Sequence, residues 1–337
     1  MRAGVIGCGG MGTTHLRALK ALQEIRGIEV EAVADIRKEC VERAIGIWPK
    51  AHSYETGMEL IQKERLDWVH ICLPSYLHAE YSIAVMEAGM DVFIEKPVCL
   101  TEMEAKKLLE VQEKTGRTVM VGHVVRWFSA YEYLKEIYKK GTYGKLKSIV
   151  MNRVGGHPTK GFENWFLDFH KSGGVMMDLH IHDLDFLRYL LGEPESKKIK
   201  ATSFENGTPN QMVAMYEFGD VWACVEACWD ISSTLKFGSA FRASFEQASV
   251  VYDSHQEYPL TVYPMEGKPI HIKEKIAFSE EEIKTEINVS DIAPYCAEDD
   301  YFITCLQEGK EPEKASLSEA IVSAMITREE LEEVVDK

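Results

Sequence analysis

The chain has 337 residues, beyond the size at which one hydrophobic core keeps growing, so its length predicts two domains. Its content of 45% hydrophobic and 27% charged residues is ordinary for a soluble globular protein, and no run approaches the roughly 18 apolar residues of a spanning helix. A formal net charge of −16, from 54 acidic against 38 basic residues, opposes nucleic-acid binding and an anionic membrane surface as partner. The acidic excess gathers in stretches such as 279–282 and 328–333, which read as solvated faces. The eight cysteines are scattered, which predicts reduced and mostly buried thiols. The first strand begins at residue 2 or 3, which leaves no room for a signal peptide, so the expected compartment is the cytoplasm.

The first 122 residues alternate strand and helix. Strands are predicted at 3–7, 28–34, 68–73, 91–95 and 118–122, with helical patterns at 11–25, 37–46, 55–64, 77–88 and 101–115. Such alternation gives an α/β domain with a doubly wound parallel sheet. The run Val5-Ile6-Gly7-Cys8-Gly9-Gly10-Met11-Gly12 reads as strand, glycine loop and helix start. Gly7 permits the tight turn, Gly9 lets a pyrophosphate approach the backbone, and Gly12 lets helix pack close to strand. The N–H groups that open the helix, at Gly10 and Met11, then face the phosphates. The next strand ends at Asp35, placed to bind the ribose hydroxyls of NAD; Arg37 offers a partner for the extra phosphate of NADP. Ligands in such sheets bind at the carboxyl ends of strands, which here carry Gly7, Asp35, Leu73-Pro74-Ser75 and Glu95-Lys96-Pro97.

After Gly122 the pattern changes. A helix is predicted at 129–140, and strands at 146–154, 197–205, 211–218, 221–229 and 239–246, interrupted by a helix over 178–191 and closed by one over 316–335. Residues 123–337 therefore read as an α+β substrate-binding domain with a large, mostly antiparallel open sheet, whose last helix packs back on the first domain. Strands 212–218 and 221–229 carry large apolar groups on both faces (Met215, Phe218, Trp222, Trp229), which predicts a homo-oligomer, dimer or tetramer, through this sheet. Within Gly173-Gly174-Val175-Met176-Met177-Asp178-Leu179-His180-Ile181-His182-Asp183, Asp178 and His182 are four apart and share one helix face. Histidine titrates near neutrality, which suits it to take the proton of an alcohol as hydride leaves the same carbon. Asp183 and Asp185 read as local partners. His180 and His182 point in different directions on a helix, so no metal site is expected.

The glycine motif, Asp35, Pro74-Ser75-Tyr76-Leu77-His78, Glu95-Lys96-Pro97 and the Asp178-to-His182 run, in this order, resemble the glucose–fructose oxidoreductase/inositol dehydrogenase (Gfo/Idh/MocA) family. The resemblance extends to Val121-Gly122-His123-Val124-Val125-Arg126 and to Asp300-Tyr301-Phe302 before the last helix. It implies a Rossmann domain holding NAD, with NADP as the alternative, and a sugar, cyclitol or polyol as substrate. It implies cofactor contacts from Leu73, Pro74, Ser75, His78 and Glu95 as well as the glycine loop. Lys96, Asp178 and His182 match the family's catalytic residues, with His123, Arg126 and Trp165 as further pocket residues. Ser75 stands where many relatives have asparagine, and His180 where glycine is frequent, so His180 is expected to project into the pocket or alter substrate preference. The same resemblance also admits an NAD-dependent glycosidase with transient redox and a non-catalytic cofactor-sensing regulator.

Overall fold

The computed structural model describes residues 1–158, 161–232, 234–273 and 292–335. They form two compact units: Met1–Val124 with Ile276–Met325, and Val125–Lys275 with Ile326–Lys337, each as far as described. The sequence reading divides the chain once, at residue 122. The structure sets that boundary after Val124 and returns a later segment to the first unit.

In the first unit β1 (Arg2–Ile6), β2 (Glu29–Ala34), β3 (His52–Tyr54), β4 (Trp68–Ile71), β5 (Asp91–Glu95) and β6 (Val119–Gly122) form one parallel sheet in the order β3-β2-β1-β4-β5-β6. This is the strand order of a dinucleotide-binding fold, with the reversal between β1 and β4. Helices α1 (Gly10–Arg26), α2 (Lys38–Ile47), α3 (Gly57–Lys63), α4 (His78–Glu87) and α5 (Glu102–Thr115) connect the strands. Every residue of β4 is buried, as befits a strand covered on both faces. Local chemistry sets the helix ends: Thr101 and Glu104 close a capping box at the start of α5, and Gly116 ends it in the left-handed region at φ 62°.

The second unit contains α6 (Ser129–Lys140), β7 (Leu146–Gly156), the short α7 (Phe169–Ser172), α8 (Ile181–Leu191), and strands β8 (Ser196–Ser203), β9 (Pro209–Phe218), β10 (Val221–Asp230), β11 (Gly238–Phe245), β12 (Ala248–Asp253), β13 (Leu260–Pro264) and β14 (Ile270–His271). Its eight strands run β14-β13-β12-β11-β7-β10-β9-β8, antiparallel except for the β7–β10 pair. Inward residues of β9 (Met212, Ala214, Tyr216, Phe218) join Tyr131, Leu134 and Ile137 of α6 and Leu184, Phe186 and Leu187 of α8 in one core. Trp229 turns into the same core, whereas Met215 and Trp222 turn outward. The chain then returns through α9 (Ala293–Glu308), which packs on α1, to α10 (Leu317–Val335), whose first half belongs to the first unit and second half to the second. Residues 279–282, expected to be solvated, lie outside the described residues.

Two buried forks fix α8. Asp185 accepts from Nε and Nη2 of Arg126, both at 2.8 Å, and Asp183 accepts from Nη2 of Arg153 at 2.8 Å. Asp183 and Asp185 do pair, but with arginines 30 and 59 residues away rather than locally. Arg126, expected as a pocket residue, is held by this fork and also lies over the Tyr189 ring at 4.5 Å. Asp185→Asn leaves a buried guanidinium without its counter-charge and is expected to cost about 3–5 kcal/mol of unfolding free energy. Chemical denaturation of the variant measures it, and an unchanged midpoint would mean that the fork contributes nothing.

Candidate active site

The glycine loop is set by contact distances. A Cβ on Gly12 would lie 1.8 Å from the Gly7 carbonyl oxygen, and one on Gly7, at φ +88°, 2.5 Å from that of Cys72. Only glycine allows α1 to start this close to β1 and β4. At its N-terminus α1 has Gly9 with no capping side chain and no acid in the first turn, an arrangement that favours an anion. Asp35 follows β2, where its Oδ2 accepts the Cys8 amide at 2.8 Å and its Oδ1 the Arg37 amide at 2.9 Å. The Arg37 guanidinium pairs with Asp35 and reaches to 2.9 Å from where a Gly9 Cβ would be. These residues fit a dinucleotide: backbone donors for phosphates, a glycine for close approach, and a fixed carboxylate for ribose.

Neighbouring strand ends carry the other expected cofactor residues. Ser75 opens a short 3-10 turn (Ser75–Leu77) and is buried. His78 is buried too, with Nδ1 at 2.6 Å from the Pro97 carbonyl and Nε2 at 2.7 Å from that of Leu73. His78 thereby ties the loop after β4 to the turn after β5. From 92 to 99 the only residue that is not buried is Lys96. Its amide donates to Oε2 of Glu95 at 3.2 Å.

Behind Glu95 lies a group of charges. His15, one turn into α1, places Nε2 at 2.9 Å from Glu95 Oε1 and Nδ1 at 3.0 and 3.2 Å from the two oxygens of Asp299. His70 accepts from the Trp68 indole N–H at Nδ1 (3.0 Å), so its proton sits on Nε2 and is donated to Asp299 at 3.1 Å. His15, His70 and Asp299 are close enough to hold a metal ion. A ligating imidazole must offer a bare nitrogen, yet both nitrogens of His15 face carboxylates, so an ion-paired imidazolium accounts for the cluster.

In the second unit, residues 176–180 form a π-helical turn that runs straight into α8. Asp178 lies in the turn and His182 in the first turn of α8, and from 172 to 187 these two alone are not buried. His180 does not project into a pocket. It is wholly buried, with Nε2 at 2.9 Å from both Glu330 Oε2 and the Tyr216 hydroxyl, which itself donates to Glu330 Oε1 at 2.7 Å. Glu330 belongs to the stretch 328–333 read as solvated, and it too is buried. Trp165 is half-buried and stacks on Phe166 at 4.0 Å between ring centres, just after Glu163 and Asn164 at φ 51° and 53°. His123 is buried at the end of β6.

Residues 1–123 match the oxidoreductase family with an NAD-binding Rossmann fold, and residues 131–263 match the GFO/IDH/MocA C-terminal domain. The chain belongs to the Gfo/Idh/MocA family. Its first unit is that family's NAD-binding Rossmann domain. The chain is 30% identical to myo-inositol 2-dehydrogenase of Thermotoga maritima over 194 residues, 57% of this chain and 55% of that enzyme. It spans about half the length of that relative and of the inositol 2-dehydrogenase of Pseudomonas fluorescens. A longer match, 27% identity over 332 residues, covers 93% of the chain and 88% of the scyllo-inositol 2-dehydrogenase (NAD(+)) of Bacillus subtilis. In fold it is similar to levoglucosan dehydrogenase in complex with NADH, with a TM-score of 0.85, 20% identity, and 100% and 97% of the two chains covered.

Within this family framework, the residues that sequence reasoning missed are His15, His70, Glu298 and Asp299. Their only local signal is polar residues at helix or strand positions that otherwise read as core. Burial opposes charge on His15, yet Asp299 and Glu95 hold it well above the ordinary histidine value. Burial would raise Glu95 and Asp299, but the imidazolium holds both below the ordinary carboxylate range. Glu298 is buried with no hydrogen-bond partner for either oxygen among the described residues; burial, then the Glu95 charge, pushes it well above the ordinary value. The folded chain therefore keeps a Glu298 proton that the unfolded chain releases above about pH 4.3, so this group lowers stability as pH rises. Glu298→Gln should gain on the wild type by roughly 1.4 kcal/mol per pH unit from about pH 5 upward, until Glu298 ionises in the folded chain. Denaturation midpoints at a series of pH values test this, and parallel curves would show Glu298 ionised in the fold.

Proposed function

We propose that the chain is an NAD-dependent dehydrogenase acting on a secondary alcohol of a sugar, cyclitol or related polyol, with Lys96, Asp178 and His182 as its working groups. One observation carries this reading. In two otherwise buried segments, 92–99 and 172–187, the residues left accessible are Lys96, Asp178 and His182, the chemistry an alcohol oxidation requires. The activities of the relatives, on inositols and on levoglucosan, support the substrate class.

Bound NAD supplies the hydride acceptor. The chain's part is to move the proton and hold the alcohol. His182 accepts the hydroxyl proton as general base, because imidazole is the side chain that exchanges protons near neutrality. Lys96 polarises the same oxygen through its ammonium group. Asp178 binds a neighbouring hydroxyl or orients the imidazole. Trp165 and His123 line the substrate.

A screen of sugars, inositols and their acids with NAD and NADP identifies the substrate, with free NADH as readout. Conversion without accumulating NADH would point to glycoside cleavage with transient redox, and cofactor binding without conversion to a regulator. On the substrate found, Lys96→Ala and His182→Ala should each lower kcat by roughly 10²–10⁴-fold, and His182→Ala should leave NAD affinity nearly unchanged. Wild-type turnover in His182→Ala would move the proton acceptor elsewhere.

The same reading includes a homo-oligomer through the outer face of the eight-stranded sheet. Met215 (52% exposed), Trp222 (43%) and Val213 (41%) lie there, and a protein seldom leaves such a patch wet. Light scattering at micromolar concentration should give a dimer or larger, and Trp222→Glu should shift it towards monomer; a wild-type monomer would overturn the assignment. None of the eight cysteines is in a disulfide, which fits the reducing cytoplasm.

A further inference from the structure

His15, Asp299 and Glu95 form a line of buried charges that ends on the backbone of Lys96. Neither His15 nor Asp299 has a part in the reaction described above, and both side chains have no solvent exposure. A neutral imidazole carries one proton and could donate to one carboxylate only. With a carboxylate at 2.9 Å from Nε2 and another at 3.0 Å from Nδ1, His15 donates in both directions. Glu95 is thereby held at both oxygens: Oε1 by His15 and Oε2 by the Lys96 amide. Gly122 walls it in, since a Cβ there would come within 3.2 Å of the carboxylate. Asp299 is fixed in turn by the Nε2 proton of His70.

A buried ionic group of this kind adds little net stability over well-packed apolar side chains, but it fixes the direction of each member. We propose that Asp299 and His15 are positioning residues for Lys96. They hold the Glu95 carboxylate, and through it the peptide that carries the lysine, at a set height against α1, the helix that opens at the glycine loop. This inference rests on the proposed role of Lys96.

The test is a double-mutant cycle on the full chain with saturating NAD and the substrate from the screen. His15→Gln and Asp299→Asn are each made in the wild type and in Lys96→Ala. In the wild type each should lower kcat by roughly 10–100-fold, the scale on which outer partners of functional groups act, while KM for NAD changes by less than about twofold. In Lys96→Ala the same substitutions should change the residual rate by less than about twofold, because the group they position is gone. Equal losses in both backgrounds would overturn the proposal, leaving the charges a general structural part. So would a rise in KM for NAD with kcat unchanged, which would assign them to the cofactor loop instead. If His15→Gln does not fold, Asp299→Asn, which keeps one hydrogen bond to His15, carries the cycle; failure of both to fold with NAD present would place the group in folding alone and likewise overturn the proposal. Near-wild-type turnover in Lys96→Ala itself would reject the lysine's role, and is seen in that single variant before the cycle is closed.

Discussion

The close approach of Gly12 to the Gly7 carbonyl is the contact on which the first unit depends. A methyl group at residue 12 would have to sit 1.8 Å from that oxygen, so any side chain pushes α1 away from the sheet. Because glycine permits the approach, α1 starts directly beyond β1, with its amide dipoles at the sheet's carboxyl edge. The same descent carries His15, three residues on, into the interior. There it meets Glu95 from the end of β5 and Asp299 from α9. One steric allowance thus sets the phosphate-binding end of α1 and the place of its buried charge.

The two units handle buried charge differently, and the difference matches what each holds. In the second unit, Asp183 and Asp185 each face an arginine, a group that is always protonated and donates in a fixed fork. Each fork fixes the direction of its carboxylate, and together they nail down the helix that carries His182. In the first unit the buried cation is a histidine between carboxylates, with a second, neutral histidine beside it. Burial alone would strip the proton from His15; the two acids restore it. The charge on His15 thus depends on its two neighbours, whereas an arginine carries its charge without them.

The Rossmann half was legible because its signals are local. Buried parallel strands read as short apolar runs, and the glycine spacing, Asp35 and Glu95-Lys96-Pro97 mark strand ends within a few residues. β3 escaped because it has three residues, two of them exposed. α9 escaped because it buries Glu298 and Asp299, and acids at core positions hide a helix from any hydrophobic period. β12 to β14 were likewise not anticipated. The burial of His180 is hidden from the sequence for a related reason: its partners Tyr216 and Glu330 lie 36 and 150 residues away, beyond any local window. Arg126 belongs to the same class, since Asp185 is 59 residues distant.

The π-helical turn shows how such distant partners act on the site. A turn closed one residue later than an α-helical one still leaves residues four apart on one side, so Asp178 and His182 remain together. What the wider turn alters is the direction of the residue between them. His180 faces inward and engages two side chains that are fixed to different elements: Tyr216 on β9 and Glu330 on α10. The Tyr216 hydroxyl donates to Glu330, and His180 Nε2 lies within reach of both, so the three close a buried ring of hydrogen bonds. A buried carboxylate satisfied by two donors is costly to disturb, because removing either leaves charge without a partner. The last helix is therefore joined to the turn that carries Asp178 by a polar clasp, and turn geometry becomes a property of residues at the far end of the chain.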